Sequence, residues 1–476
     1  IRNVFIGESA GYGGTGALQY SVAIGYQALD ATGANGITGA VAIGYEAFSA
    51  LTSGVQNTAI GYQAGRTTTT GARNTFLGYE AGEDTTGGSD NTYLGNRAGG
   101  DHTGTYNTFV GSNTGKGVSG GSSNGSSNTA VGYDALTALT TGYENVAIGF
   151  EAGESITTGY YNTLLGYEAG EKLTTGFGNV FMGYEAGASK IVNIGSIAIG
   201  YRAGLPSAGS YDVFIGYEAG AQTKGGTSVG IGRGAGRGSN GVTEYGGTSG
   251  SANTSVGYYA GNYNLGSHNT KIGKEAGFYA TGSYNTFLGS EAGKGGQTSA
   301  PFSSGQYNTA IGYRAFTSFT TAVNNTILGV DAGYSITTGG HNVMIGYGAG
   351  DDITTGGWNV IIGGGGTRNY GADFGNNIAI GYDALSAGNA NFYRAIAIGR
   401  GAANKNTTND QIAIGYEAMK VHTTGTRNIA IGSYAMDDTD AGSTSLGSTD
   451  NIFMGYSAGG GTWADAQSKE NVAIGN

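Results

Sequence analysis

The stretch NTLLGYEAGEKLTTGFGNVFMGYEAG, residues 162–187, contains one nine-residue motif twice. The motif reads N-[TV]-x-[ILVM]-G-Y-x-A-G, and variants of it return along the chain, most often after 17 residues and commonly after 16 or 18. Numbered from its first residue as position 1, the motif begins 27 times between Asn3 and Asn471. This period is too short for helix-pair repeats or propeller blades and is typical of one coil of a β-solenoid.

The composition indicates an all-β chain with many turns. The 476 residues include 97 Gly but only two Pro, which excludes collagen, and 38% hydrophobic residues are too many for a disordered tract. The formal charge of −11 disfavours binding to nucleic acid and to anionic membranes. The absence of Cys excludes disulfides, thiolate metal sites and Cys nucleophiles. With no apolar run of 18 residues, no signal peptide and no initial Met, we expect a processed chain or an excerpt.

Each position of the motif has a predicted structural role. Because alternate strand residues share a face, we expect the aliphatic positions 2 and 4 to point into the coil. Position 5 is Gly in all 27 copies, which indicates a positive φ or a very close neighbour. Position 8 is Ala in 24 of 26 complete copies, which indicates a tight, buried corner, and position 1 is Asn in 20 copies, which predicts an amide ladder. Residues that define three regular copies are Asn57, Gly61, Ala64, Asn74, Gly78, Ala81, Asn162, Gly166 and Ala169.

The predicted fold is an all-β parallel β-solenoid, or β-roll, of about 27 coils with a period of 16–18 residues. A second short strand per coil is expected in segments such as SITTG at 155–159. Ordering about 17 residues costs roughly 1.5 kcal/mol each, which exceeds what three inward aliphatics return, so coils must stack on one another. We predict one continuous repeat domain over residues 1–476. Surface loops are expected at the interruptions 112–127, 237–252, 294–307, 364–376 and 436–450.

Position 3 suggests self-association. It lies on the strand face opposite positions 2 and 4, yet it is mostly apolar, as at Ala59, Phe76 and Phe181. A strand that is apolar on both faces is usually buried on both, so we predict a parallel homo-oligomer and favour a trimer. The alternative is a single-chain solenoid with a mildly apolar flank, which Ser255 and Lys271 at this position favour.

Several copies of the motif carry a family resemblance. The strings SVAIGYQA (21–28), AVAIGYEA (40–47), NVAIGFEA (145–152) and NVAIGN (471–476) resemble the head repeats of YadA-type trimeric autotransporter adhesins. The fuller NTAIGYQAGRTTTTGAR (57–73) is similar to repeats of bacteriophage tail-fibre proteins that carry an endosialidase-type chaperone. The resemblance implies a left-handed parallel β-roll shared among three chains. It covers nearly the whole chain and is specific for fold but not for function. The repeat here is longer than the usual head repeat, and its corner Tyr is more regular.

No catalytic motif is present, and we predict a protein without enzymatic activity. His102, His268, His341 and His422 lie beside Gly, Ser or Thr without metal-ligand spacing, so we expect solvent-exposed turn residues. GIGRGAG at 230–236 does not have the spacing of a phosphate-binding loop. Hydrolysis of a polysaccharide by a pair of carboxylates is the enzymatic alternative.

Three features are candidate contact sites. Glu151, Glu168 and Glu185 follow one another at position 7, and we favour carboxylates that splay into water over a Ca²⁺ site; no cofactor is predicted. Position 6 is Tyr in over half of the copies, including Tyr62 and Tyr79, and forms either a packed aromatic ladder or a stripe that stacks on glycans. Candidate contact residues in the interruptions are Tyr245, Phe302 and Tyr370, and the alternative is that these insertions are tolerated drift without a binding role.

These features favour an extracellular fibrous protein, a bacterial surface adhesin or filament subunit of YadA-head type that mediates attachment. The alternative is the shaft or receptor-binding fibre of a bacteriophage tail. The expected partners are further copies of the chain and a host or environmental surface, glycan or matrix, with neither nucleic acid nor membrane insertion. The expected location is the bacterial cell surface or the phage virion. The uncapped terminal coils also suggest head-to-tail filaments.

Overall fold

The structure is a computed structural model that describes residues 2–13, 16–31, 33, 36–119, 123–206, 209–223, 225–238, 250–263, 265–298, 302–364, 375–386, 393–405, 408–421, 425–437, 447–460 and 469–475. Within these ranges the chain forms strands, turns and irregular segments and no helix. It is a parallel β-solenoid with one three-residue strand in each of the 27 motifs. The chain divides into two compact units, Ile1–Ser228 (unit 1) and Val229–Asn476 (unit 2).

All strands occupy positions 2 to 4 of the motif. The strands of unit 1 are β1 Val4–Ile6, β2 Val22–Ile24, β3 Val41–Ile43, β4 Thr58–Ile60, β5 Thr75–Leu77, β6 Thr92–Leu94, β7 Thr108–Val110, β8 Thr129–Val131, β9 Val146–Ile148, β10 Thr163–Leu165, β11 Val180–Met182, β12 Ile197–Ile199 and β13 Val213–Ile215. The strands of unit 2 are β14 Val229–Ile231, β15 Thr254–Val256, β16 Thr270–Ile272, β17 Thr286–Leu288, β18 Thr309–Ile311, β19 Thr326–Leu328, β20 Val343–Ile345, β21 Val360–Ile362, β22 Ile378–Ile380, β23 Ile396–Ile398, β24 Ile412–Ile414, β25 Ile429–Ile431, β26 Ile452–Met454 and β27 Val472–Ile474.

Within each unit, every strand pairs in parallel with the strand of the next motif, position against position. In β10 and β11, for example, Thr163 lies opposite Val180, and Leu165 lies opposite Met182. The same register holds in unit 2, where Thr326 of β19 lies opposite Val343 of β20. Equivalent residues therefore form continuous rows within each unit, which is the stacking that the repeat predicts.

The second strand predicted in each coil does not form as a regular strand in the described residues. The Thr-rich segments are turns that bond to the next coil, as when Thr157 N–H donates to Thr174 O at 3.0 Å. Their aliphatic residue is buried, as at Ile156 and Leu173. Extended pairing outside the 27 strands occurs as isolated bridges, such as that between Phe177 and Ile194.

The predicted orientation of the strand is wrong: position 3 points into the coil, and positions 2 and 4 point out. Phe76 is fully buried, whereas its neighbours in the strand are exposed, Leu77 by 42%. The reason lies at position 1, which shares a face with position 3. The amide of Asn162 must lie inside the coil to donate to Gly176 O at 2.9 Å, so Leu164 faces inward with it.

In many coils, one large side chain from either position 3 or position 9 fills the core. Where position 3 is Phe, position 9 is Gly, and a Cβ on Gly82 would come within 2.9 Å of the Phe76 ring. Where position 3 is Ala, a large residue often follows at position 9, as with Ala130 and Leu136, both fully buried. The two positions therefore share one volume, which limits what each can hold.

The Asn of position 1 forms the expected ladder. Asn162 donates from its backbone N–H and from Nδ2 to Asn145 Oδ1, at 3.1 and 3.0 Å. The same pair of bonds joins Asn342 to Asn325 in unit 2, at 3.0 Å each. Buried amides thus bond both to their own coil and to the neighbouring coil, which leaves few polar groups unpaired inside.

The Gly of position 5 meets both conditions that the sequence suggests. Gly78 has a φ of 145°, and a Cβ there would lie 2.2 Å from the carbonyl oxygen of Gly95 in the next coil. The Ala of position 8 is fully buried, as at Ala64, Ala81 and Ala169. Among the described residues, no helix has the length and apolar character needed to cross a membrane.

Candidate binding surfaces

An uncharged stripe runs along the outer face of the strands in each unit. Position 2 is Thr, Val or Ile and position 4 is Ile, Leu, Val or Met in every strand from β1 to β27. These side chains are half-buried or exposed; Leu165 in unit 1 and Leu328 in unit 2 are exposed by 40% and 42%. We call this surface the aliphatic stripe. A contiguous exposed apolar surface on a soluble protein marks an interaction site.

Position 6, separated from the stripe by one Gly, forms a tyrosine ladder in unit 1. The ladder has two runs in which each ring stacks on the next, with ring centroids 4.9–5.3 Å apart and interplanar angles of 5–14°. The first run is Tyr26, Tyr45, Tyr62 and Tyr79, and the second is Tyr133, Phe150, Tyr167, Tyr184, Tyr201 and Tyr217. Asn96 and Ser112 hold position 6 between the runs.

Stacking determines which part of each ring meets the solvent. Rings inside a run cover one another's faces, so they present edges and hydroxyl groups, and Tyr62 and Tyr79 are exposed by 43% and 46%. The hydroxyl of Tyr167 bonds to the Glu168 carboxylate, which raises the pKa of Tyr167 to about 12. The ladder of unit 1 is therefore a wall of ring edges and hydroxyl groups.

Position 6 is more varied in unit 2, where cations and small residues separate the tyrosines. The guanidinium of Arg400 lies 5.8 Å from the centre of the Tyr416 ring. Tyr347 and Tyr382 are separated along the row by Gly364, and they are exposed by 69% and 55%. Neither ring forms an aromatic contact with any described residue.

Gly364 places no side chain between these two rings, and we call this interval along the row the Gly364 gap. Its backbone does not adopt a positive φ, and the nearest atom to a Cβ there would be Tyr382 Cδ2 at 3.8 Å. The backbone therefore does not require Gly at this position. The gap spans two steps of about 4.8 Å each, which is wide enough for one ring to lie between Tyr347 and Tyr382.

The acidic row does not form one continuous line of carboxylates. Glu185 pairs with Arg202, with Oε2 2.8 Å from Nε, and Glu168 bonds to the neighbouring tyrosine. Carboxylate oxygens of Glu151, Glu154 and Glu171 lie within 4.8 Å of one another. Burial and then the neighbouring carboxylates raise the pKa of Glu151. This cluster has the donors that a hard cation such as Ca²⁺ would use, and half-buried acidic groups also occur without one.

The three histidines that the structure describes, His102, His268 and His341, do not form a common site. His102 was expected in an exposed turn, but it is fully buried, because it occupies the inward aliphatic position of its coil and its Nε2 lies 2.7 Å from Gly125 O. His268 stacks on Tyr284, with centroids 4.9 Å apart, and His341 stacks on Trp358 at 4.0 Å. His422 lies outside the described residues.

Of the contact residues expected in the interruptions, Phe302 is described. It is half-buried and packs on Tyr263, with centroids 4.5 Å apart, and on Tyr279 at 6.0 Å. Tyr245 and Tyr370 lie outside the described residues. The role of these three in contact with a partner stays a prediction.

Two surface features escaped the sequence interpretation. The aliphatic stripe was assigned to the core, although the lack of any charged residue at positions 2 and 4 in all 27 strands signals a special surface. The Gly364 gap was signalled by a Gly where most copies carry Tyr. Comparison with known protein-family models and with curated proteins gives no match for this chain.

Proposed function

We propose that the chain is a non-enzymatic, extracellular fibrous protein of the YadA-head type, which assembles with copies of itself and mediates attachment of a bacterial cell. The observation that carries the proposal is the aliphatic stripe. It exposes two uncharged side chains per strand throughout both units. An active site depends on a few particular residues at one place in the chain, whereas a fibre presents the same surface in every coil.

The partner best suited to the stripe is a second copy of the chain. A partner must match a surface whose side chains recur at the strand spacing of about 4.8 Å, and an identical solenoid in parallel register has that spacing by construction. The stripe offers no charges to a polar or charged partner. We propose three chains packed along their stripes, left-handed as in the adhesin heads that the sequence resembles.

Substitutions at position 4 test this assembly. We expect Leu328→Lys to reduce the trimer to smaller species in light scattering, because a buried charge without a partner costs several kcal/mol. The matched control is Gln306→Lys, which adds the same charge at an exposed position away from the stripe and leaves the mass unchanged. A wild-type protein with the mass of one chain at micromolar concentration would contradict the proposal.

The attachment itself is assigned to the open tyrosine faces of unit 2. A pyranose ring inserted between Tyr347 and Tyr382 would stack on both and reach their hydroxyl groups. We expect Gly364→Tyr to abolish glycan-array binding, because the new ring fills the gap as rings do in the ladder of unit 1. Gly364→Ala keeps the gap open and serves as the control. Equal binding by both variants would contradict the assignment and leave the assembly proposal intact.

A further inference from the structure

We propose that Lys190 and Asp212 become joined by an intramolecular amide bond between Lys190 Nζ and Asp212 Cγ, which links two coils of unit 1 covalently. The inference goes beyond the proposed function and does not depend on it. It rests on the geometry of a buried pair in which Nζ lies 3.8 Å from Oδ2. The two side chains are exposed by 1% and 0%.

A local change in the Asn ladder brings this pair together. Position 1 is Ser196 in one coil and Asp212 in the next, and neither side chain has the amide N–H₂ that Asn uses to bond a Gly carbonyl. Gly209 O, which an Asn at position 196 would bond, accepts instead from Lys190 Nζ at 3.2 Å and from Asn193 Nδ2. Lys190 thus occupies the inward position that Leu173 holds one coil earlier.

The remaining contacts prepare both groups for condensation. Ser228 N–H donates to Asp212 Oδ1 at 3.0 Å, which polarises the carboxyl group, while Oδ2 has no hydrogen-bond partner in the described structure. The bond to Gly209 O orients the amine. Lys190 Nζ lies 5.8 and 5.9 Å from the ring centres of Phe181 and Phe214, and these rings help to exclude water from the site.

Burial also favours the neutral forms that react. It lowers the pKa of Lys190 to about 8 and raises the pKa of Asp212 to about 6. Both shifts raise the fraction of pairs that hold a neutral amine opposite a neutral carboxyl group above the fraction found in water.

The reaction is balanced without a cofactor. Asp212 takes a proton from the Lys190 ammonium group, and the amine lone pair then attacks Cγ. The Cγ–Oδ2 bond breaks, and Oδ2 leaves as water with its own proton and one from the amine. The product is a neutral amide in place of a buried ion pair, so the cost of burying two charges disappears.

The test is the intact mass of the purified, denatured full-length chain. We expect it to be lighter than the sequence mass by one water molecule, and a tryptic digest should contain one branched peptide that joins residues 190 and 212. Lys190→Leu, which restores the residue type of Leu173, should have the full sequence mass. Asp212→Ser, a residue found at position 1 in neighbouring coils, should behave in the same way.

Lys271 is the internal control. It is fully buried in the core of unit 2, where its Nζ donates to Ala280 O at 2.8 Å, and burial alone accounts for the fall of its pKa to about 7. Its peptide should therefore remain unmodified. A folded wild-type chain with the full sequence mass would overturn the proposal, as would a loss of water that persists in Lys190→Leu.

Discussion

Units 1 and 2 share one backbone but carry different outer surfaces. In unit 1 the position 6 rings stack into runs such as that from Tyr133 to Tyr217, whereas in unit 2 Arg, Lys, Val, Ser and Gly separate the tyrosines. Positions 1, 3, 5 and 8 follow the same rules in both units. The difference shows that the inward half of the motif determines the fold, and that the outward row at position 6 can change without altering the coil.

If the inward half is common to both units, the largest effect should come from position 5. We expect Gly78→Ala in unit 1 and Gly329→Ala in unit 2 each to cost more than about 4 kcal/mol, because each Cβ would lie 2.2 Å from a carbonyl oxygen of the next coil. Hydrogen exchange should show loss of protection in the flanking strands. Gly364→Ala, where a Cβ meets nothing closer than 3.8 Å, should be nearly neutral.

Because positions 3 and 9 share one core volume, we predict a large loss of stability that a second substitution recovers. Phe76→Ala should lower the free energy of unfolding by about 3–5 kcal/mol, because it leaves a ring-sized cavity. Adding Gly82→Leu should recover much of this loss, since Leu136 fills the same volume behind Ala130. Denaturant unfolding of the single and double variants measures both effects. No recovery in the double variant would contradict the reciprocal relation of positions 3 and 9.

Buried titratable groups should give the two units different responses to pH. Burial lowers the pKa of His102 in unit 1 to about 4, against about 6.5 in the unfolded chain. As the pH falls, the unfolded chain therefore binds the proton first. The free energy of unfolding should fall by about 3 kcal/mol between pH 6.5 and pH 4. Acid titration of His102→Thr, which restores the residue type of Thr85, should lack this component.

In unit 2 the stability changes with pH in the alkaline range, and the buried group responsible is Lys271. Because the pKa of Lys271 falls to about 7, the unfolded chain binds more protons between pH 7 and pH 10. Protection of β16 from hydrogen exchange should therefore increase as the pH rises through this range, after correction for intrinsic exchange rates. Lys271→Leu should remove that increase. A wild-type protein without it would show that the amine remains charged inside the core.

The smallest expected effect on stability comes from removing one Tyr at position 6, and it should differ between units 1 and 2. Tyr167→Ala removes two stacked contacts, each worth about 0.5–1.5 kcal/mol, so we expect a cost of about 1–3 kcal/mol. Tyr347→Ala in unit 2, where the ring is exposed by 69%, should cost less than about 0.5 kcal/mol. Thermal unfolding of the two variants provides the comparison. Equal losses would mean that stacking in the ladder contributes nothing to stability.

The sequence predicted the solenoid, its period and the parallel stacking because these depend on residues that recur at fixed positions of the motif. Gly at position 5 in all 27 copies and Asn at position 1 in 20 copies each satisfy a backbone requirement that recurs along the chain. Hydrophobicity could not show which face of the strand points into the coil, because positions 2, 3 and 4 are all apolar in copies such as VFM at 180–182. Only the buried bonds of the Asn amide decide which face is inside.

The surfaces were harder to predict for a related reason. Stacking of the Tyr rings depends on the side chain one coil away, so the open faces of Tyr347 and Tyr382 follow from Gly364 and not from the tyrosines themselves. The buried pair of Lys190 and Asp212 likewise joins two motifs that each look like a minor deviation from the repeat. To predict such features, one must know which residues of neighbouring coils lie next to each other, as well as the motif itself.

The most direct test of the outward stripe and its partner uses single thiols, since the chain contains no Cys. Leu77→Cys places the thiol on the stripe, Phe76→Cys places it in the core, and Gln306→Cys places it in an exposed irregular segment. In the assembled native protein, we predict that a bulky maleimide reacts quickly with the Gln306→Cys variant and slowly with the other two. Dissociation into folded single chains should then release only the Leu77→Cys thiol. Fast reaction of the Leu77→Cys variant in the native protein would show that no partner covers the stripe.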